Sequence, residues 1–210
     1  MALSTDGPLT PPWSPATIPH LDNRQNWAAA MRFRETRLEG AWLIEPTAAL
    51  DDRGSFMRTY CEREFAEQGL ETRFVQHSQS HSVRRGTLRG LHLQLPPHGE
   101  VKLVSCIRGT IIDIIVDLRS WSPTRYEWIG YELSAENRRQ IYIPKGFAHG
   151  FQTVTDDAMV SYLISEFYVP DASVGLRYDD PLLAIDWPLP VGAISQRDQN
   201  WPLLGDLVPG

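Results

Sequence analysis

The sequence predicts an all-β protein, a sandwich or barrel of short strands with a few short helices, and three observations carry that prediction. Nine glycines between Gly54 and Gly150 divide the chain into short apolar or alternating runs, the spacing of strands joined by tight turns. The run Thr110–Leu118 (TIIDIIVDL) is β-branched and apolar on both faces, as a strand covered on both sides must be. Against these, only Glu62–Gln68, closed by Gly69, reads as a helix of more than a turn.

Taken in order, residues 1–32 form an arm in which Pro8, Pro11, Pro12, Pro15 and Pro19 recur without apolar periodicity. Trp27–Arg32 could close one helical turn, and the ordered domain, residues 33–210, should begin near Phe33. The clearest strands are Ala41–Glu45, Ser55–Tyr60, Val101–Cys106, Thr110–Leu118, Glu127–Leu133, Gln140–Ile143, Phe151–Thr153 and Ala158–Ser165. A short turn is expected near Pro181–Ala184. No internal repeat is visible.

Composition narrows the function. At 210 residues the chain suits one domain with a sizeable core. A formal charge of −6 argues against general nucleic-acid binding, which rests on a basic surface. No apolar run reaches the roughly 20 residues that span a bilayer, so no membrane partner is expected. The N-terminus lacks the basic and apolar regions of a signal peptide, and cytoplasmic is the expected location. Cys61 and Cys106 are too few for a disulfide framework and offer no clustered zinc motif.

Two segments carry the chemistry: Gly86-Thr-Leu-Arg-Gly-Leu-His-Leu-Gln94 and Ile143-Pro-Lys-Gly-Phe-Ala-His-Gly-Phe151. Together they resemble the two hallmarks of cupins, small jelly-roll barrels, which specifies the fold class as a cupin jelly-roll barrel or sandwich. Gly86 and His92 fit the first hallmark, and Pro144, Gly146 and His149 fit the second. Gln94, however, stands where the metal-binding His-x-His pair has its second histidine. A catalytic metal needs about three protein ligands in one cavity, and an amide substitutes poorly for imidazole. The expectation is a barrel without a metal and without a cofactor. Its pocket would hold Arg89, His92, Lys102, His149, Tyr162 and Asp198, a set suited to removing a proton beside a carbonyl and returning it on another face.

An ordered series of motifs sharpens this. Leu88-Arg-Gly-Leu-His92, Lys102-Leu-Val104, Leu133-Ser-Ala-Glu-Asn137, Tyr168-Val-Pro170, Ile185-Asp-Trp-Pro188 and Ser195-Gln-Arg-Asp198 flank the two segments above. Asp52-Arg-Gly54 and Phe74-Val-Gln76 precede them. The series, over roughly residues 40–204, resembles the dTDP-4-dehydrorhamnose 3,5-epimerase family. That resemblance implies an isomerase acting on a nucleotide-diphosphate sugar, with His92 as base, Asp198 as its orienting partner, Tyr162 as acid and Lys102 steadying the enolate. It assigns Arg53, Arg89 and His149 to the diphosphate or sugar, and Gln76 to the nucleotide. It also implies a homodimer in which Arg53 serves the neighbouring subunit.

Four positions depart from the family pattern. Arg58 stands where a carboxylate is usual, beside the nucleotide site, and Ser78 where asparagine is common. Phe167 stands where a second tyrosine is common, at a position expected to shape the pocket, and Leu93 replaces an aromatic. The rival readings are an epimerase restricted to C3 or using another nucleotide, a 3,4-ketoisomerase, a metal-dependent cupin dioxygenase, and a binding module without turnover. His77, His81 and His98 read as non-catalytic. Asp113 and Asp117, flanked by apolar residues, read as structural, and Arg89 and His92, three apart, need an irregularity such as a bulge at Gly90 to converge.

Overall fold

The structure, a computed structural model, describes residues 30–207. Thirteen strands alternate with little helix: β1 Arg32–Glu35, β2 Trp42–Glu45, β3 Ala48–Asp51, β4 Gly54–Met57, β5 Gln76–Ser82, β6 Leu88–Gln94 and β7 Lys102–Arg108 come first. β8 Thr110–Asp117, β9 Trp128–Ser134, β10 Gln140–Ile143, β11 Phe147–Thr153, β12 Ala158–Ile164 and β13 Ser173–Gly175 follow. The helices are α1 Glu62–Glu67, α2 Gln196–Gln199 and α3 Leu204–Leu207, with one 3-10 turn at Pro170–Ala172. The all-β expectation holds. Most expected strands lie within a few residues of their predicted bounds, and α1 stops beside Gly69 (φ +70°) as its sequence requires.

Two antiparallel sheets face each other, one ordered β1-β2-β10-β7-β12-β5 and the other β13-β6-β11-β8-β9; β3 and β4 form a separate hairpin. The space between them is filled from both sides. Leu43, Val104, Ile141 and Val160 come from the six-stranded sheet and Ile111, Ile115, Leu133 and Phe151 from the five-stranded one. Each outer face is covered as well. Phe65 of α1, fully buried, packs edge-on to Phe33, Tyr60 and Phe74 outside the six-stranded sheet. Leu176, Leu183 and Leu204 from the C-terminal segment cover the other. β8 is thus buried on both faces, which explains its continuous apolar sequence.

Several expectations need correction. Arg32, placed in the arm and in a helical turn, opens β1, and Met31 before it is buried; residues 1–29 of the arm lie outside the described residues. β11 begins at Phe147, four residues before its expected start, because Gly146 and Gly150 read as turn signals. Gly150 is instead a strand residue, made necessary by a close backbone crossing. β5 (QHSQSHS) was not among the clear strands. Its polar alternation belongs to a sheet edge, where it pairs with β12 alone.

That crossing positions the site. Where β6 pairs with β11, His92 faces His149 and Arg89 faces Phe151, so β6 carries one extra residue, a bulge at the expected place. Gly90 has φ +122°, and a Cβ there would lie 2.5 Å from Gly150 Cα and 2.8 Å from His149 O. A Cβ on Gly150 would lie 2.7 Å from Arg89 O. The bulge puts Arg89 and His92 on the same cavity despite their spacing.

Two predictions follow from the packing. Gly90→Ala should destabilise the chain by roughly 1–3 kcal/mol through the left-handed φ alone, read as a lower denaturant midpoint, and should also cost activity by separating β6 from β11. The second concerns Asp117, wholly buried beneath Arg119. Burial would raise its carboxyl, but the Arg119 guanidinium and the Ser122 and Thr124 hydroxyls outweigh burial and hold it at about 2. A depressed folded-state value stabilises the protein above the ordinary carboxylate range, and that contribution is lost as pH falls through about 2. Wild type should therefore exceed Asp117→Asn by about 2 kcal/mol or more at pH 7, with the gap narrowing as denaturation is measured between pH 4 and pH 2.

Candidate active site

A cavity of about 700 Å3 opens between the two sheets, the size of a small-molecule site. Its walls include Arg89, His92, Lys102, His149, Tyr162 and Asp198, so all six residues that the sequence placed in one pocket meet there. The five-stranded sheet supplies His92 and His149, on β6 and β11; the six-stranded sheet supplies Lys102 and Tyr162, on β7 and β12.

His92 Nε2 lies 2.6 Å from Asp198 Oδ1. Asp198 is buried, and its place is set by α2: Ser195 caps this helix, its Oγ accepting the Asp198 N–H at 3.0 Å. Burial alone would raise the Asp198 carboxyl. The bond from His92, the charge of that ring when protonated, and the Gly90 and Ser195 bonds outweigh it and keep the carboxyl below its ordinary value. An ionised carboxylate only accepts, so Nε2 carries the hydrogen and Nδ1 keeps its lone pair. Trp201 stands edge-on to the His92 ring, with centroids 6.2 Å apart, and donates Nε1–H to the same carboxylate oxygen at 3.3 Å.

Tyr162 occupies the opposite wall, its hydroxyl 2.9 Å from Ser80 Oγ. Burial pushes the phenol well above its ordinary value despite the Ser80 bond and the Arg89 charge, so it remains a proton donor throughout the neutral range. Lys102 Nζ pairs with Glu100 Oε1 at 2.8 Å, both side chains mostly buried. His149 Nε2 is bonded to Asp113 Oδ2 at 2.8 Å, and burial raises the Asp113 carboxyl even against the lowering effects of His149 and Lys102.

The cavity is electropositive. Arg89 donates to Ser82 Oγ at 3.1 Å and to His81 O at 2.9 Å; Arg197 donates to Ser173 Oγ at 3.2 Å and stacks 4.8 Å over Trp201. Neither guanidinium has a carboxylate partner among the described residues, and Asp198 is the single acid lining the walls. Such a surface suits a diphosphate.

Four of the expected binding residues do not line this cavity. Arg53 sits at the tip of the exposed β3–β4 hairpin, where Asp51 pairs with it at 2.5 Å. Arg58 is paired with Glu64 of α1, so its charge is answered within the chain. Gln76 turns its Oε1 to the Tyr168 N–H at 2.9 Å. Phe167 is exposed; its carbonyl accepts from Gln94 and its N–H donates to Glu166 Oε1 at 2.8 Å. Its neighbour Tyr168, also exposed, hydrogen-bonds through its hydroxyl to Arg197 and Ser173, which holds that phenol below its ordinary value.

The sequence reading missed Asp113, Arg197 and Glu100. Asp113 was read as structural, yet it anchors a cavity histidine; a carboxylate amid β-branched residues was the available signal. Arg197 lay within a quoted motif without being singled out. Gln94 turns away from the cavity: its Nε2 donates to His98 O and Phe167 O, both at 3.1 Å, and its Oε1 accepts from Val169 N at 2.6 Å. Among the described residues no group of three His, Cys, Asp or Glu side chains is placed to hold a metal ion.

Known proteins share both the sequence and the fold. The model of the family described as dTDP-4-dehydrorhamnose 3,5-epimerase matches residues 35–206. A dTDP-4-dehydrorhamnose 3,5-epimerase of Methanothermobacter thermautotrophicus is 51% identical over 177 residues, covering 82% of this chain and 94% of the relative. A dTDP-4-dehydrorhamnose 3-epimerase of Streptomyces niveus is 42% identical, covering 84% and 85%. The crystal structure of the 3,5-epimerase of Bacillus anthracis, with TDP and PPi bound, superposes with a TM-score of 0.82 at 43% identity, covering 83% of this chain and all of that one. With the motifs, the two-sheet fold and the cavity all in agreement, the chain belongs to the dTDP-4-dehydrorhamnose 3,5-epimerase family.

Proposed function

We propose that the chain is an isomerase that inverts C3 and C5 of a nucleotide-linked 4-keto-6-deoxy sugar through an enolate, with His92 as base and Tyr162 as acid. One observation carries the reading: base and acid stand on opposite sheets of one cavity, so a sugar between them presents a different face to each. Hydrogen next to a ketone is acidic because the enolate places its charge on oxygen. His92 Nδ1 takes that proton, and Asp198 stabilises the imidazolium that results. Lys102 is the cation for the C4 oxyanion, with Glu100 holding its ammonium in place. Tyr162 then protonates the carbon from the other side, and exchange with solvent resets both groups. Arg89 and Arg197 hold the diphosphate.

The same reading accounts for the hairpin outside the cavity. β3–β4 projects Arg53, with Leu50 74% and Phe56 56% exposed, away from its own site. In a homodimer this hairpin would serve the neighbouring cavity. The enzyme would act in the cytoplasm; no described helix is long and apolar enough to cross a membrane. The Streptomyces niveus relative, a 3-epimerase by name, keeps restriction to C3 as a second reading.

Two measurements test the roles. With dTDP-4-keto-6-deoxyglucose in heavy water, NMR should show deuterium entering C3 and C5, and His92→Ala should abolish it. Incorporation at C3 alone selects the restricted reading, and none at either carbon overturns the substrate assignment. Tyr162→Phe should retain exchange, since His92 still works on its own face, while inverted product falls by roughly 10²-fold or more. Equal losses of exchange and inversion would contradict the division of labour.

A further inference from the structure

A second cavity, of about 540 Å3, lies on the outer face of the five-stranded sheet, behind the strand that carries His92. Leu93, Leu176 and Leu204 form its floor as part of the outer core. Its rim is built from different material. Trp121, 69% exposed, stands over the guanidinium of Arg119 at 4.6 Å, and Arg119 is itself fixed beneath by Asp117 and by the Phe147 ring. The indole is therefore held as a platform from below, with its outer surface open.

Beside it, Arg125 lies 4.3 Å over the ring of Tyr126, and Lys145 closes the far side. No carboxylate lines this cavity, and neither Arg125 nor Lys145 has a carboxylate partner among the described residues. Tyr126 adds two anomalies. Its backbone has φ +70°, a conformation costly for a bulky side chain, and its hydroxyl is buried with no hydrogen-bond partner. Nothing in the proton-transfer chemistry calls for these groups, which lie outside the catalytic cavity.

We propose that this cavity is a second ligand site, one that takes a planar aromatic anion, a ring bearing a phosphate, sulfonate or carboxylate. The ring lies on Trp121 above the leucine floor, and the anionic group is held by Arg125 and Lys145. The volume accommodates a bicyclic ring with its substituent. Charge makes the choice of occupant: an uncharged apolar ligand would leave two unanswered cations at the rim, and a cation would be repelled.

The probe for the test is 8-anilinonaphthalene-1-sulfonate, titrated by fluorescence into the full chain with dTDP in excess to cover the catalytic cavity. The expected result is one dTDP-insensitive site per chain. Trp121→Ala and the double variant Arg125→Gln with Lys145→Gln should each weaken it about tenfold or more, with the circular dichroism spectrum unchanged. Trp121→Phe, which keeps an aromatic face, should retain most of the affinity, and the neutral N-phenyl-1-naphthylamine should bind more weakly than the sulfonate. Absence of a dTDP-insensitive site, or affinity unaltered in either the Trp121→Ala or the double variant, would overturn the proposal.

Discussion

Strands β6 and β11 approach so closely at Gly90 and Gly150 that neither position admits a Cβ, and the His92 wall of the candidate site depends on that contact. A regular strand turns residues three apart to opposite faces. The extra residue in β6 cancels this, so Arg89 and His92 share a cavity, and it brings the Gly90 N–H within 3.3 Å of Asp198 Oδ2. The same irregularity thus aims His92, the proposed base, and supplies one of the bonds that keep its partner carboxylate ionised.

The two histidines of this wall are cross-strand neighbours, and each has an aspartate at its Nε2, yet the pairs differ in environment. Asp198 collects donors from Gly90, Ser195 and Trp201 besides the imidazole, and its carboxyl is lowered. Asp113 has His149 alone, its Oδ1 buried without a partner, and its carboxyl is raised. A low-lying carboxylate stays ionised as the acceptor for its histidine's N–H, the arrangement the proposed base requires. The His149 pair, enclosed by sheet on both sides, suits a fixed hydrogen-bonding group better than a group that cycles with each turnover.

Much of this was legible from sequence because the relevant patterns are local. TIIDIIVDL needed only its apolar continuity to be read as β8, and the ordered motifs brought six cavity residues together before any coordinates. What escaped was set by distant neighbours. β5 is polar because it is an edge, a fact about its missing partner on one side and not about its own residues. Gly146 and Gly150 read as turns, although Gly150 is a strand residue whose missing side chain is dictated by Gly90, 60 positions away. Phe167 was expected to shape the pocket, yet it is the next residue, Tyr168, whose side chain reaches Arg197; one position along an irregular segment decides this, and spacing alone does not resolve it.

With the proposed base and acid on different sheets, catalysis would depend on the core. His92 and Tyr162 are joined by no direct bond; their separation is fixed by what fills the space between the sheets. That filling is Phe151 and Ile115 from one side and Val104 and Val160 from the other, all nearly or fully buried. Close-packed interiors transmit a volume change instead of absorbing it. A lost methylene in this cluster would therefore let the walls shift and alter the reach of His92 and Tyr162, the proposed proton-transfer pair, at once. By contrast, Phe65 lies beyond the six-stranded sheet, so its loss would weaken the fold with much less effect on the gap between His92 and Tyr162. The core between the sheets is thus mechanically part of the candidate active site, although of these four residues Phe151 alone lines the cavity.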